Sequence, residues 1–492
     1  MQKIRNSQII ELKNIHITDL RHTLPAIINS AENGARPILL FTDTMNDPKI
    51  LYCVMAHDTE SSLSVFTMNC EGIREYPSIT PFVPSFHLFE RELWEETGII
   101  PHGHPWLKPV RFSSYRHDHT VKVIDYPFYQ VGGEEIHEVG VGPIHAGVIE
   151  PGHFRFQCKG EDILHLEIQL GYQHRGIERM FENNTKLTIP IAESIAGDSV
   201  MAHTWAHAQC MESLMGIAIP KRADYIRGIA LELERAAIHI GDLSAISNDI
   251  AYHMGTNVYA TNRTLLINSS LSLCGSRFSR GLMTIGGVHF DYTHEKILML
   301  TKILDQVEHD VSLMAETMWA VPSVLSRLEK TGIITHETAQ SIGMVGPAGR
   351  ASGLARDIRT DHSFGPYKYA PIHSLHLESG DVYARTYIRY LEMKESFRWI
   401  RNTIDQLPMT DITIPAKPLI PNALSISMTE GWRGETVHAA RTDSNGIIQR
   451  YKIKDPSFHN WFALALAVRN NGISDFPLCN KSFNLSYCGH DL

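Results

Sequence analysis

The sequence predicts an α+β fold, with a small N-terminal α/β module followed by a mainly helical domain that carries a β-hairpin. Three patterns predict it. Short β-like runs at 37–42, 50–55 and 63–68 alternate with helical segments early in the chain. Two further β-like runs, 153–158 and 163–169, flank a polar turn, which marks a hairpin. Beyond residue 220, long stretches keep apolar residues at helical spacing. At 492 residues, with domains usually of about 100–200 residues, two or three domains are expected.

In chain order, residues 86–97 form a helix with Phe86, Phe89 and Leu93 on one side and Gly98 as its C-cap. The polar, glycine-containing stretch 132–138 reads as a linker, which sets two units at 1–131 and 139–492. Behind Pro220, residues 224–246 form an amphipathic helix with a stripe of Ile226, Ile229, Leu233, Ala236, Ile240 and Leu243. A second long helix runs over 382–407 and stops at Pro408. From Pro415 onward, prolines separate short β-like pieces.

With 45 Lys and Arg against 54 Asp and Glu, the net charge is −9. That balance excludes nucleic acid as a partner, because phosphate recognition needs clustered cations. Hydrophobic residues make up 43% and charged residues 20%, so the chain can build real cores. Seven dispersed cysteines without a CxxC pair exclude a disulfide framework and most locally ligated zinc or iron–sulfur sites. The N-terminal stretch lacks the apolar region of a signal peptide, and no apolar run approaches the ~20 residues that span a bilayer. A protein of a reducing compartment is expected, one that can still dock on a membrane partner.

Polar residues recur inside the predicted helices. Glu232, Arg235 and His239 recur three and four residues apart beside the apolar stripe, and Arg385, Arg389 and Glu392 show a similar spacing. Surface ion pairing, at ~0.3–0.5 kcal/mol each, is the plain alternative. Glu234 falls on the outer face and is expected to matter little. Residues 346–357 are too small and flexible for a helix interior; they let the backbone approach another element closely while Arg350 reaches a partner. A turn at 430–435 holds Arg433 between Glu430 and Glu435. The pairs His102/His104 and His117/His119 lack a third ligand nearby, so hydrogen-bonded histidines are the simpler reading.

Several motifs carry a family resemblance. Glu90-Arg91-Glu92 on a helix ending at Gly98, followed by Gly103-His104-Pro105, resembles the signature of the small peripheral-arm subunit of respiratory complex I. From Val139 onward the chain resembles the quinone-chamber subunit of complex I. It is more similar still to the large subunit of group-4 nickel–iron hydrogenases of the formate-hydrogenlyase type, in which the two modules are fused. The motifs include Gly142-Pro143-Ile144-His145, Glu150-Pro151-Gly152-His153-Phe154-Arg155 and His174-Arg175-Gly176-Ile177-Glu178. Glu232-Leu233-Glu234-Arg235, Gly286-Gly287-Val288-His289, the 346–357 segment, Gly380-Asp381-Val382 and Arg433-Gly434-Glu435 continue the series in order.

In such hydrogenases four cysteines hold nickel and iron, a centre that requires soft thiolates. Registered on Ala202-His203, the first pair falls on Ala196 and Ser199, and the family's preceding arginine on Ser194. Registered on Ser482, the second pair falls on Ser486 and Gly489, with Cys488 one residue away. The family's quinone-facing histidine falls at Pro151 and its quinone-facing tyrosine at Gly197. The sequence ends three residues past Gly489, without the C-terminal extension that those hydrogenases cleave. The comparison implies a chain that is not a working hydrogenase.

What the resemblance implies is a subunit of a complex I-like membrane oxidoreductase, quinone- or NADH-dehydrogenase-like, peripheral on the cytoplasmic side of the inner membrane. Electrons would come from a 4Fe-4S cluster in a partner iron–sulfur subunit and pass to a quinone-like acceptor, beside membrane subunits that translocate ions. No cofactor is expected in this chain. His145, His153 and Glu178 are expected to line the former metal site. Arg350, Arg356, Asp357, Arg385 and Glu392 are expected to form a polar relay toward the membrane. Two other readings stay open. One is a non-catalytic scaffold, which a filled core at Gly197 would favour over a cavity. The other is a metal enzyme in which His203, Glu178 and His490 converge.

Overall fold

Runs rich in Ile, Leu, Val and Phe near the N-terminus pair into the first sheet of the computed structural model, which describes residues 1–45, 47–182 and 188–492. Strands β1 (Gln2–Ile4), β2 (Ile10–Glu11) and β3 (Thr18–Asp19) precede helix α1 (Leu20–Glu32), and β4 (Arg36–Thr42), β5 (Ile50–His57) and β6 (Ser62–Asn69) follow it. The sheet order is β1-β6-β5-β4, with β3 parallel to β6. Helix α2 (His87–Thr97) ends at Gly98, whose φ of +76° suits glycine and whose N–H returns to the Trp94 carbonyl.

Strands β4 and β5 are buried on both faces, and the period of two sorts their side chains. Leu39, Phe41, Tyr52, Val54 and Ala56 face the main core. Leu40, Leu51, Cys53 and Met55 instead join Leu20, Leu24, Phe86 and Phe89 of the α1 and α2 region. Strand β2 leaves this sheet and pairs with Ala423 and Leu424, far along the chain. The expected units 1–131 and 139–492 therefore share both a core and a sheet.

The predicted hairpin is β8 (His153–Lys159) and β9 (Asp162–Gln169). The linker is shorter than expected. Residues from Ile136 onward form strand β7 (Ile136–Val141), whose Ile136, His137 and Glu138 pair with Lys159, Cys158 and Gln157. An open hairpin edge has free N–H and C=O groups, and this segment satisfies them.

The helical body follows as α3 (Val200–Met215), α4 (Lys221–Asp249), α5 (His253–Cys274), α6 (His294–Trp319) and α7 (Val382–Ile404). Helix α4 runs through the centre, packed by α5, α7 and α3. It is therefore buried all round, and Glu232, Arg235 and His239 are fully enclosed rather than paired at the surface. Between α6 and α7, Gly346–Arg350 makes a helical turn where the sequence suggests a loop. The close approach read from its glycines is present: at φ +66°, a Cβ on Gly346 would stand 2.0 Å from the Arg433 carbonyl oxygen.

The C-terminal pieces are three full strands, β10 (Ala423–Gly431), β11 (Gly434–Thr442) and β12 (Ile448–Lys454), in a sheet ordered β12-β11-β10-β2. Helix α3 lies on β10 and β11. Helices α8 (Ser457–Ala467), α9 (Phe476–Phe483) and α10 (Tyr487–Asp491) complete the chain, and sequence periodicity does not mark them. No helix among the described residues is long and apolar enough to cross a membrane.

Candidate functional site

A cavity of about 710 Å³ opens between the β7–β8 connection, the Gly197–Asp198 loop before α3, the β10–β11 turn and the α9–α10 corner. Val141, Ile149, Phe476 and Leu485 supply apolar wall, and Glu150, Asp249 and Lys481 add charge to its lining. Arg433 stands at one side in a fixed geometry: Nη1 and Nη2 donate to the two Asp198 carboxylate oxygens at 2.6 Å each, and Nε donates to the Asn484 carbonyl at 2.6 Å. A bidentate arginine–carboxylate pair of this kind sets orientation as well as charge. Burial works against the Arg433 cation, but Asp198 outweighs it and holds the guanidinium pKa above its ordinary value. The turn that presents Arg433 is pinned, because Gly431 and Gly434 close β10 on β11 and Gly434 abuts Gly346.

Of the three residues expected to line this site, His145 borders the cavity, with its ring edge-on to Phe154 at 5.5 Å. The alternation of β8 sends Phe154 toward Tyr487 and Trp461 and turns His153 the other way. There His153 donates from Nδ1 to the Gly142 carbonyl at 3.1 Å and packs on Phe128. Glu178 lies in a different cluster, accepting from the Ile453 N–H at 2.9 Å beside Lys452 and Arg450. The convergence of His203, Glu178 and His490 is not found. His203 is held by His438 and Asp455, and His490 by Asp491. Among the described residues, no three His, Cys, Asp or Glu side chains are placed to hold a metal ion.

The four positions that the resemblance registers on nickel ligands lie on this side of the molecule. Ala196 and Ser199 are buried in the loop before α3. Ser486 caps α10, its Oγ accepting the Gly489 N–H at 2.9 Å. Gly489 has no room for a side chain: a Cβ there would meet Asp455 Oδ2 at 2.6 Å. Cys488 lines the cavity, and burial pushes its thiol up to about 11.

Behind the cavity the expected polar relay is only partly one body. Arg350 donates to Glu392 at 2.8 Å and to Glu430 at 2.7 Å, and it lies 3.8 Å from Asp357. Arg359, the arginine that closes the resembled family pattern GPxxRASGxxRDxR, binds Asp357 at 2.6 Å and Glu232 at 3.1 Å. His239 donates to Glu392 at 3.0 Å, and Tyr367 and Ser396 each donate to Glu232 at 2.6 Å. Burial opposes every one of these charges. Arg350 and His239 nevertheless hold Glu392 well below the usual carboxylate range, while Glu430 is pushed up to about 7.

Arg385 and Arg356 stand apart from this body. Arg385 donates to the Gly380 and Gly332 carbonyls and to Ser482 Oγ, over the Phe483 ring, and burial lowers its pKa to about 10. Arg356 points to the N-terminal sheet, 3.7 Å from Asp58. The link to the cavity runs elsewhere: Arg389 donates to Asp242 at 2.7 Å, Asn484 donates to Asp242 at 2.6 Å, and Arg433 donates to the Asn484 carbonyl. Asp242 is findable from the sequence, since it continues the 232, 235, 239 spacing along α4. Asp198 and Asn484 lie in irregular segments, where no period marks them.

Two family descriptions match this chain. Residues 23–121 match the 30 Kd subunit of respiratory-chain NADH dehydrogenase, and residues 249–423 match its 49 Kd subunit. Formate hydrogenlyase subunit 5 of Escherichia coli (strain K12) is 31% identical over 84% of this chain and 76% of its own length. Hydrogenase-4 component G of the same organism is 30% identical over 96% of this chain and 87% of its own. The C/D subunit of an NADH-quinone oxidoreductase from Bacteroides fragilis is 29% identical over 73% of this chain and 74% of its own length. With both subunit types in one polypeptide, and with relatives matched over most of their length, the chain belongs to the complex I-like family of fused 30 Kd- and 49 Kd-type oxidoreductase subunits that includes formate hydrogenlyase subunit 5 and hydrogenase-4 component G.

Proposed function

We propose that this chain is the acceptor-side subunit of a complex I-like membrane oxidoreductase, peripheral on the cytoplasmic face of the inner membrane. Electrons from a 4Fe-4S cluster of a partner iron–sulfur subunit pass to a quinone-like acceptor in the cavity beside Gly197, and membrane partners couple this to ion translocation. The cavity carries the reading. A scaffold needs no open space at Gly197, whereas about 710 Å³ stands there, lined by apolar side chains, the anchored Arg433 and the charged Glu150, Asp249 and Lys481. Such a pocket suits a flat, weakly polar ring with a carbonyl for Arg433 to meet.

The donor set argues against nickel and iron in this chain. Ser199 and Ser486 offer hydroxyls, the Asp455 carboxylate occupies the room a side chain at position 489 would need, and the single nearby thiol is protonated at neutral pH. Soft thiolate ligation is what such a centre requires. The relatives' names span hydrogenases and NADH-quinone oxidoreductases, and the ligand chemistry supports the second reading.

The test uses the complete complex purified from its host. Reduction of a soluble quinone analogue is expected, together with elemental analysis showing no stoichiometric nickel. Stoichiometric nickel, or a complete complex that reduces no acceptor, would overturn the proposal.

A further inference from the structure

Helix α3 lays His203 and His207, four residues apart, against the C-terminal sheet, where His438 of β11 and Tyr451 of β12 point up at them. Six buried side chains then form an unbroken series. Thr188 Oγ1 lies 2.5 Å from His207 Nε2, and His207 Nδ1 lies 2.8 Å from the Tyr451 hydroxyl. That hydroxyl lies 2.7 Å from His438 Nδ1, and His438 Nε2 lies 3.1 Å from His203 Nδ1. His203 Nε2 ends the series 3.0 Å from Asp455 Oδ2. All six residues are at most 3% exposed, so bulk water does not interrupt them.

With Asp455 ionised and every imidazole neutral, the donor and acceptor sequence is self-consistent in one direction only. His203 must then donate from Nε2 to the carboxylate, so its Nδ1 accepts from His438 Nε2–H. His438 Nδ1 accepts from the Tyr451 O–H, Tyr451 accepts from His207 Nδ1–H, and His207 Nε2 accepts from the Thr188 O–H. Every imidazole is neutral in this arrangement. Burial supports that, lowering His207 to about 3 and holding His438 well below its ordinary value. Reversing all five bonds leaves an equally consistent series with Asp455 protonated.

We propose that Thr188, His207, Tyr451, His438, His203 and Asp455 are a proton wire that feeds the cavity. One passage shifts five protons, each across one hydrogen bond, and leaves a proton on Asp455; the replacement must reach Thr188, the least buried of the six at 3% exposure. Asp455 Oδ2 and Ser486 Oγ stand 2.6 and 2.8 Å from the point where a Cβ on Gly489 would be, and Ser486 borders the cavity. Asp455 itself does not line the cavity; it ends the wire directly behind Ser486, in the room that the bare Gly489 leaves. This inference rests on the reading that the cavity takes a quinone-class acceptor. Its reduction to the quinol consumes two electrons from the partner's cluster and two protons, hence two passages, with the rings and hydroxyls turning back to the first arrangement between them.

Tyr451→Phe removes the central hydroxyl and keeps the ring that stacks on Phe181. In the complete complex, turnover with a quinone analogue is expected to fall by about 100-fold, the low end for a lost proton-transfer group. The solvent deuterium isotope effect should rise, while the rate of electron entry into the partner's cluster stays unchanged. Thr188→Val cuts the outer end with little change in shape and is expected to act in the same direction. Unchanged turnover in either variant overturns the wire, and so does loss of assembly in both. Nitrogen-15 histidine NMR of the full chain reads the wire without any acceptor: neutral rings with protons on Nε2 of His203 and His438 and Nδ1 of His207 support it. A charged ring, or a tautomer set that is neither this one nor its complete reversal, overturns it. Should the unmodified complex reduce no acceptor, the functional reading fails while this spectrum still decides the wire.

Discussion

Three cationic or hydrogen-bonding partners meet one carboxylate at Glu392: Arg350 at 2.8 Å, His239 at 3.0 Å and Arg235 at 3.8 Å. Glu392→Ala leaves Arg350 without its main partner in the core, and such a loss costs about 3–5 kcal/mol. Chemical denaturation of the purified chain should show that drop; a loss below 1 kcal/mol, the range of exposed pairs, would mean the cluster is solvated. Glu234 is not the outward-facing residue its position suggests. It is buried at the N-terminus of α3, accepts the Met201 N–H at 2.9 Å, and burial pushes its carboxyl up to about 8. A folded-state pKa raised from 4.5 to about 8 gives full stability at low pH that is lost as pH rises through that window. The slope approaches about 1.4 kcal/mol per pH unit. Glu234→Gln should flatten the unfolding profile between pH 5 and 8, and parallel profiles for the two proteins would show that Glu234 stays charged.

Among the elements, helix α4 shows how periodicity is both informative and incomplete. The spacing of Glu232, Arg235, His239 and Asp242 is visible in the sequence, and it does put these groups on connected faces. Their burial comes from α5, α7 and α3, which no local pattern specifies. Turns behave differently. The glycines of 346–357 and 431–434 are legible as a close approach, and the backbones of Gly346 and Gly434 do touch. Gly346→Ala is therefore expected to cost more than the ~1–2 kcal/mol of a positive φ alone, because the Arg433 carbonyl must also move. The midpoint of thermal unfolding reports it. A neutral result would mean that the β10–β11 turn tolerates displacement, and with it the Arg433 geometry.

For the molecule as a unit, the N-terminal sheet is a wall of the main core. Arg36 joins Asp58 at 2.8 Å and Glu435 at 2.5 Å, and His362 joins Asp58 at 3.0 Å, so buried charge also crosses between the two segments. A chain restricted to residues 139–492 would expose the surface that covers Leu39, Phe41, Tyr52 and Val54, an apolar area of the kind that drives aggregation. Expression of that fragment alone is expected to give insoluble protein, and co-expression with 1–131 to recover a soluble pair. A soluble, cooperatively unfolding 139–492 fragment would show that the two units are independent.

Strands within a residue or two, the α2 helix with its Gly98 cap, the hairpin and the two long helices are all written locally in the chain. Period, caps and turn chemistry act over a few residues, so a linear reading recovers them. The family resemblance is local in the same sense, because ordered motifs stand in the chain whatever their fold. Packing alone settles which charges are buried, that His145 borders the cavity while His153 and Glu178 do not, and that Arg385 serves carbonyls instead of acids. It also brings Asp242, Asp198, Asn484 and the histidine series together. Those groups are separated by up to hundreds of residues along the chain, and their proximity follows from packing α3 and α4 between sheets, which local propensity does not encode.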